Sequence, residues 1–284
     1  MPITTFEQAA DFLAAAESHL LQDEIANGLL VGVARGVARG TPYSDAAPFF
    51  AVIRDENETL TGAAILTPPY NLLLARGTPP DALPDLIAVL RDGNWPVPGV
   101  VGPRAEAEAC AADWARITDQ PFRATMNMRC YELREVIPPA RPADGRLRAA
   151  GPDDLDLLIR WTDAFNEEAI PDDPPRDIPA AVRRLIEAGS LFVWVDDGAV
   201  VSMAVKVRPA GQGIKITYVY TPPELRRRGY ATSCVAALSR HCLDDLGYAW
   251  CTLFTDLSNP TSNDIYREVG YEPVCDFVTI RFGP

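Results

Sequence analysis

The stretch "VYTPPELRRRGYAT", residues 219–232, sets three consecutive arginines and a glycine between an apolar strand-like run and an apolar helix-like run. A helix N-terminus leaves about four backbone N–H groups without partners and carries a partial positive charge, so it is a ready anion site. Gly229 lacks the Cβ that would hold a phosphate away from the backbone, and Ala231 and Thr232 keep the first turn slim. Arg226, Arg227 and Arg228 add charge and bidentate donors. Strand, basic turn and helix together predict a pyrophosphate cradle. The alternative is a solvated basic loop whose glycine serves only the turn. Neither a G-x-G-x-x-G fingerprint nor a G-x-x-x-x-G-K-[ST] loop occurs there, which excludes the two commonest nucleotide-binding turns.

The elements that must position this turn follow from periodicity. "DDLDLLIRWTDAFNEEA" places Leu155, Leu158, Trp161 and Phe165 near helical spacing, with Asp153 or Asp154 available as a cap. "RDIPAAVRRLIEAG" predicts a second helix stopped at Gly189. "SLFVWVDDGAVVSMAVKVRP" predicts two strands around an Asp197-Gly198 turn. "GIKITYVYT" predicts a strand with Ile214, Ile216, Tyr218 and Tyr220 on one face. A helix from Gly229, a strand in "YAWCTLFTD", a short helix ending at Gly270 and a closing strand pattern in "YEPVCDFVTIRF" complete this half. The fold class is α/β, a mixed sheet with helices on both faces.

Residues 135–154, rich in Pro, Gly and Ala, form the best linker, and the length of 284 residues suits about two domains of ~150 residues each. The first half gives a looser version of the same element order. In particular, "NLLLARGTPPDALPDLIAVL" runs strand, Thr-Pro-Pro, helix, as does "TYVYTPPELRRRGYATSCVAAL". A diverged internal repeat is one reading of that match, and chance is the other.

With a formal net charge of -13, the chain lacks the broad basic face of a duplex nucleic-acid binder, so the arginine cluster is a local feature. The acidic surface serves solubility or the steering of a cationic substrate. No apolar run reaches the ~18–20 residues of a membrane span, and no signal-like segment opens the chain, so a cytoplasmic location is the default expectation. Six cysteines without a C-x-x-C pair, and only two histidines, argue against a metal site and for buried free thiols.

Arg226, Gly229 and Ala231, following "TYVYT", form an R-x-x-G-x-A pattern that resembles the acyl-CoA-binding motif of the GNAT superfamily of N-acetyltransferases. "LFTDLSNPTSNDIYREVGYEPV" resembles a later motif of the same superfamily, through Asn259, Tyr266, Gly270 and Tyr271. The resemblance implies an acyl-CoA N-acyltransferase-like fold, with a degenerate copy over residues 1–140 and a catalytic copy over 145–284. It implies transfer of an acetyl or other acyl group from CoA to a primary amine of a small molecule or peptide. It also implies backbone amides of Arg228, Gly229, Tyr230, Ala231 and Thr232 on the pyrophosphate, and charge from Arg226 and Arg227 nearby. Val219 and Thr221 would pair the pantetheine amides, Val219 or Tyr220 would supply an N–H to the thioester carbonyl, and Asn259 would reach the pantetheine from the other side. Tyr266 would protonate the leaving thiolate; the alternative is a packing tyrosine.

The base that neutralises the amine stays open among Glu167, Glu168, Asp256 and Glu224, while a structural role suits mid-helix His241. The matching first-half loop, "GTPPDALP", carries Asp81 and Asp85 and no arginine, which predicts no CoA binding there. Two rivals to the enzyme reading are a CoA-binding sensor or scaffold without catalysis, and an unrelated α/β protein with a phosphate-binding turn.

Overall fold

The computed structural model describes residues 1–41 and 46–283. The chain divides into two units: Met1–Cys130 together with Val274–Pro284, and Tyr131–Pro273. In the first lie β1 (Ile3–Phe6), α1 (Ala9–Leu20), α2 (Glu24–Ala38), β2 (Phe49–Arg54), β3 (Leu60–Leu66), β4 (Leu72–Leu74), α3 (Leu83–Asp92), β5 (Gly99–Pro103) and α4 (Arg104–Thr118). Strand β6 (Phe122–Leu133) then carries the chain into the second unit. That unit has β7 (Arg146–Ala149), α5 (Leu155–Ala169), α6 (Ile178–Glu187), β8 (Leu191–Asp196), β9 (Ala199–Ala210), β10 (Gly213–Tyr220), α7 (Tyr230–Arg240), β11 (Trp250–Asp256) and α8 (Pro260–Val269).

The two units repeat one plan, strand-helix-helix, three strands, then helix-strand-helix. Their pairings repeat too. β1, β2, β3 and β4 pair antiparallel in succession and β4 pairs parallel with β5. β7, β8, β9 and β10 do the same, and β10 pairs parallel with β11. The internal repeat suggested by two Thr-Pro-Pro segments is therefore a repeat of architecture.

The division of the chain differs from the expected 140/145 boundary. The last strand, β12 (Glu272–Phe282), was expected to close the second half. From Val274 onward it belongs to the first unit, where it pairs antiparallel with β5 from Phe277↔Pro103 to Arg281↔Gly99. Val278 and Ile280 are buried there among Leu72, Leu74 and Val100, which gives this apolar strand its core. At the N-terminus, strand Ile3–Phe6 is followed by two helices.

Local chemistry accounts for the second unit's elements. Asp197 (φ 44) and Gly198 (φ 77) make the two-residue hairpin turn between β8 and β9, because such turns need positive φ at both central residues. The side chain of Asn259 caps α8 through Ser262 N–H, and Gly270 (φ 105) ends it. On one face of the sheet Leu158, Trp161 and Val182 pack on Val193, Met203, Val205 and Tyr220. On the other, Cys234, Val235 and Leu238 pack on Phe192, Ala204, Ile214, Ile216 and Leu253. Truncating a fully buried residue such as Leu158 to Ala would cost about 2–5 kcal/mol. All six cysteines are free, and burial pushes the Cys110 and Cys234 thiols up to about 12, so these two are inert.

Ile214, Ile216, Tyr218 and Tyr220 were expected on one face of β10. Ile214 and Ile216 pack on the α7 side, while Tyr218 and Tyr220 pack on the α5 side. A β-bulge is the cause. The register steps from Thr217↔Val205 to Tyr220↔Met203, so β10 spends one residue more than β9, and Tyr218 takes the left-handed conformation (φ 50). An extra residue in a period-two element sends every later side chain to the opposite face.

Candidate active site

The bulge lies where β10 leaves its parallel neighbour. β10 pairs with β11 only at Gly213↔Trp250, Ile214↔Cys251 and Lys215↔Thr252, yet β10 runs on to Tyr220 and β11 to Asp256. On its other side β10 stays paired with β9 as far as Tyr220↔Met203. The two strands thus part at their C-terminal ends, leaving facing edges at 216–220 and 253–256 outside the β10–β11 ladder. In parallel α/β sheets the C-terminal ends of strands are where ligands bind, and an unpaired edge offers backbone donors and acceptors to an extended chain.

At the end of β10 stands the basic turn. It closes with Arg227 (φ 63) and Gly229 (φ 78), and Gly229 is the N-cap of α7 with no side chain capping the helix. Asp23, Asp177 and Asn259 cap α2, α6 and α8 with their side chains, while α1, α3, α4 and α5, like α7, have no side-chain cap. Arg227, Arg228, Gly229, Tyr230 and Thr232 line a cleft of about 660 Å³ beside the linker residues Ala140–Asp144. A Cβ on Gly229 would point at Arg141 O (3.4 Å) and Ala143 Cβ (3.6 Å) in the linker. Its left-handed backbone (φ 78) is what favours glycine, since a Cβ would make only ordinary contacts with the linker. The linker is itself tied down by Ala143 N–H to Ser233 Oγ (2.8 Å) and Trp194 Nε1–H to Asp144 O (2.9 Å).

The three arginines differ. Arg226 donates from Nε to Thr221 O (2.8 Å) and from Nη2 to Glu168 Oε2 (2.7 Å), and its guanidinium lies 5.7 Å from the Tyr220 ring centroid. Arg227 and Arg228 are exposed in the cleft. Tyr230 donates to Asp196 Oδ2 (2.6 Å), and that carboxylate raises its phenol above the usual range. Thr221 Oγ1 donates to Ser202 Oγ (2.9 Å), which donates to Tyr220 O (3.0 Å). This buried chain fixes the strand-to-turn corner. Ser202 had no signal in the sequence; it is the β9 residue that the bulge leaves facing the Tyr220 carbonyl.

On α8, Tyr266 is buried, its ring edge-on to Tyr271 at 5.9 Å, and burial alone raises its phenol well above the usual range. Its hydroxyl has no hydrogen-bond partner among the described residues, in contrast to Tyr271 (Ser239 Oγ, 2.8 Å) and Tyr131 (Asn263 Oδ1, 2.9 Å). Such a phenol is fully protonated at neutral pH. Asn259 spends its side-chain oxygen on the α8 cap. Asn263, missed in the sequence, donates from Nδ2 to Asp256 O (2.9 Å) and Asn259 O (2.7 Å) and so locks the β11–α8 connection.

Of the candidate bases, Glu168 is brought to the turn. It meets Arg226 and lies 3.5 Å from the Tyr220 hydroxyl, whose phenol is raised by burial and by this carboxylate. Glu167 and Glu224 are exposed. Asp256 accepts from Ser258 N–H (2.8 Å) as a turn carboxylate. His241 Nδ1 pairs with Asp245 Oδ2 (2.8 Å) at the end of α7, a structural role. Among the described residues no group of three or more His, Cys, Asp or Glu could hold a metal, and no helix is long and apolar enough to cross a membrane.

A mixed sheet whose parallel pair parts beside an uncapped helix start defines a class, and comparison with known proteins names it. Residues 155–271 match the Acetyltransferase (GNAT) family, so the second unit carries a GNAT domain. The whole chain has the two-domain GNAT fold. It is similar to a GNAT-family acetyltransferase from Colwellia psychrerythraea (15% identity, 99% of each chain, TM-score 0.60). It is similar also to a GCN5-related N-acetyltransferase from Sphaerobacter thermophilus (14% identity, 98% of this chain and 95% of that one, TM-score 0.64). A tandem GNAT protein from the clavulanic acid biosynthesis pathway aligns over 100% of this chain and 99% of its own (15% identity, TM-score 0.58). No curated protein matches in sequence.

Proposed function

We propose that the protein is an acyl-CoA-dependent N-acyltransferase, with acetyl as the acyl group and a primary amine of a small molecule or peptide as acceptor. The GNAT match supports acyl transfer in general. The observation that carries the finer reading is the parting of β10 and β11 after Lys215/Thr252, which ends at the uncapped start of α7. A pantetheine-like chain fits the open edges, and a pyrophosphate fits the free N–H groups of Tyr230, Ala231 and Thr232 with Arg227 and Arg228 alongside.

An acyl-CoA thioester supplies an activated acyl group, whose C–S bond breaks as the C–N bond forms. The chain's own residues handle the protons and the charge. A bulge N–H near Val219 or Tyr220 polarises the carbonyl, a contribution of about 3–4 kcal/mol for one such donor. Glu168, at the edge of the turn, takes the proton that the ammonium must lose before attack. Tyr266 delivers its hydroxyl proton to the departing sulfur. Trp161, Phe165, Tyr218 and Tyr220 wall the acceptor side. In this reading the first unit binds no CoA.

Two measurements test it. A saturating excess of CoA, about 100-fold over its dissociation constant, should add ~2.7 kcal/mol and raise Tm by a few degrees. Acetyl-CoA with a panel of amines should release free thiol. Absence of both effects rejects the proposal, and CoA binding without release from any amine leaves a CoA-binding module.

A further inference from the structure

We propose that Arg226, the first residue of the R-x-x-G-x-A pattern, is a positioning residue for the acceptor side and not a phosphate ligand. The inference rests on the acyltransferase reading above and assigns a role within that site.

Its donors are already directed. The side-on fork of the guanidinium, Nε with Nη2, spans Thr221 O (2.8 Å) and Glu168 Oε2 (2.7 Å). Thr221 is braced by the buried Ser202–Tyr220 chain, so the Nε anchor is rigid. The backbone favours this direction: Arg226 is extended (ψ 163) and leaves the turn before the left-handed residues Arg227 and Gly229 aim the chain into α7. Arg226 therefore points back along β10 while Arg227 and Arg228 line the cleft at the helix start.

Glu168 is the group that needs holding. Trp161, Phe165 and Glu168 fall on one stripe of α5, and that stripe meets Tyr220, Tyr218 and Arg226. Glu167 and Glu168 stand in the last turn of α5, which contains no basic residue. The negative end of a helix disfavours carboxylates, so neither helix propensity nor the helix dipole explains an acid there. Arg226 compensates from outside. The pair is exposed, with side chains 42% and 47% accessible, and exposed pairs add little to stability. What the pair does supply is geometry: one carboxylate oxygen is held by Arg226, and the other faces the Tyr220 hydroxyl at 3.5 Å, at the bulge where β10 leaves β11. A group that must collect a proton from an arriving ammonium works only when held within reach of it.

The test compares Arg226→Met, Arg226→Lys, Arg228→Met, Glu168→Gln and the double variant Arg226→Met/Glu168→Gln. Calorimetry measures CoA affinity, and thiol release measures kcat and the acceptor KM with an amine found active. Arg226→Met should leave CoA affinity unchanged while lowering kcat/KM for the amine about tenfold. Arg228→Met should weaken CoA binding instead. Arg226→Lys, which keeps the charge without the fork, should recover part of the loss. In the Glu168→Gln background the Arg226→Met change should cost nothing further, because Arg226 acts through Glu168. The proposal is overturned if Arg226→Met weakens CoA tenfold at unchanged kcat, or if the two losses simply multiply in the double variant. Failure of the unaltered protein to turn over any amine falls on the acyltransferase reading, and calorimetry then still decides whether Arg226 serves a phosphate.

Discussion

The same strand–turn–helix corner is built twice in this chain, once closed and once open. In the first unit, after β4, Gly77 N–H donates to Glu106 Oε1 (2.8 Å), Arg76 N–H donates to Asn27 Oδ1 (2.9 Å), and the Arg76 guanidinium pairs with Asp23 (3.1 Å). The protein's own carboxylates and amide already sit where an anion would. The strands stay together as well: a Cβ on Gly102 of β5 would lie 3.2 Å from Leu74 Cβ of β4. In the second unit the matching turn keeps two exposed arginines, and β10 and β11 separate. Under the proposed function one fold yields a filled corner or a receptive one, depending on whether the turn is occupied by the protein's own side chains. In that reading a site is made by withholding partners as much as by adding them.

Four experiments would break or sharpen that contrast. The largest effect is expected at Tyr266, since α4 of the first unit contains no tyrosine at all. Tyr266→Phe should lower kcat about 100-fold with CoA affinity unchanged; full activity would reject the acid role. Next come the two glycines. Gly229 (φ 78) and Gly77 (φ 85) are both left-handed, so alanine at either should cost about 1–2 kcal/mol of stability. Only Gly229→Ala should also weaken CoA, by about tenfold, because it alone borders the open turn. Equal CoA effects from the two would erase the distinction between the corners.

Calorimetric stoichiometry comes third. One CoA per chain is expected, both for the unaltered protein and for Glu106→Gln, which should lose only about 1 kcal/mol of stability. A second bound CoA would show that the first corner is receptive after all. The smallest effect concerns pH. The Arg148 guanidinium hydrogen-bonds Asp154 in the second unit, and Arg129 does the same for Asp276 in the first, holding each carboxyl below its usual range. A lowered folded pKa adds stability that is present above the unfolded value of about 4 and is lost as pH falls through the folded one. Arg148→Met and Arg129→Met should therefore each cost about 1 kcal/mol at pH 7, discounted for partial exposure, and the difference from the unaltered protein should vanish in strong acid. A cost that persists there would point to packing by the arginine stems.

Much of this was legible in local patterns. The Asp197-Gly198 turn, the Gly270 stop of α8, the helix starting at Gly229 and the Thr-Pro-Pro echo between halves all rest on short-range backbone chemistry. What escaped rests on partners distant in sequence. Arg226 could be read as one charge among three, but its pairing with Glu168 needs α5 folded onto β10. Asn263 and Ser202 are ordinary polar residues in the sequence, and only the packed corner shows what they hold.

The sequence by itself determined the α/β class, the basic turn and the residue types at its edges, because period, glycine and charge are local properties. Tertiary structure decided the rest. It placed β12 beside β5, because an apolar strand goes where a ladder and a core await it. It turned Tyr218 and Tyr220 toward α5, because one extra residue opposite Val205 and Met203 inverts a period of two. Strand register is a relation between two segments, and no single segment carries it.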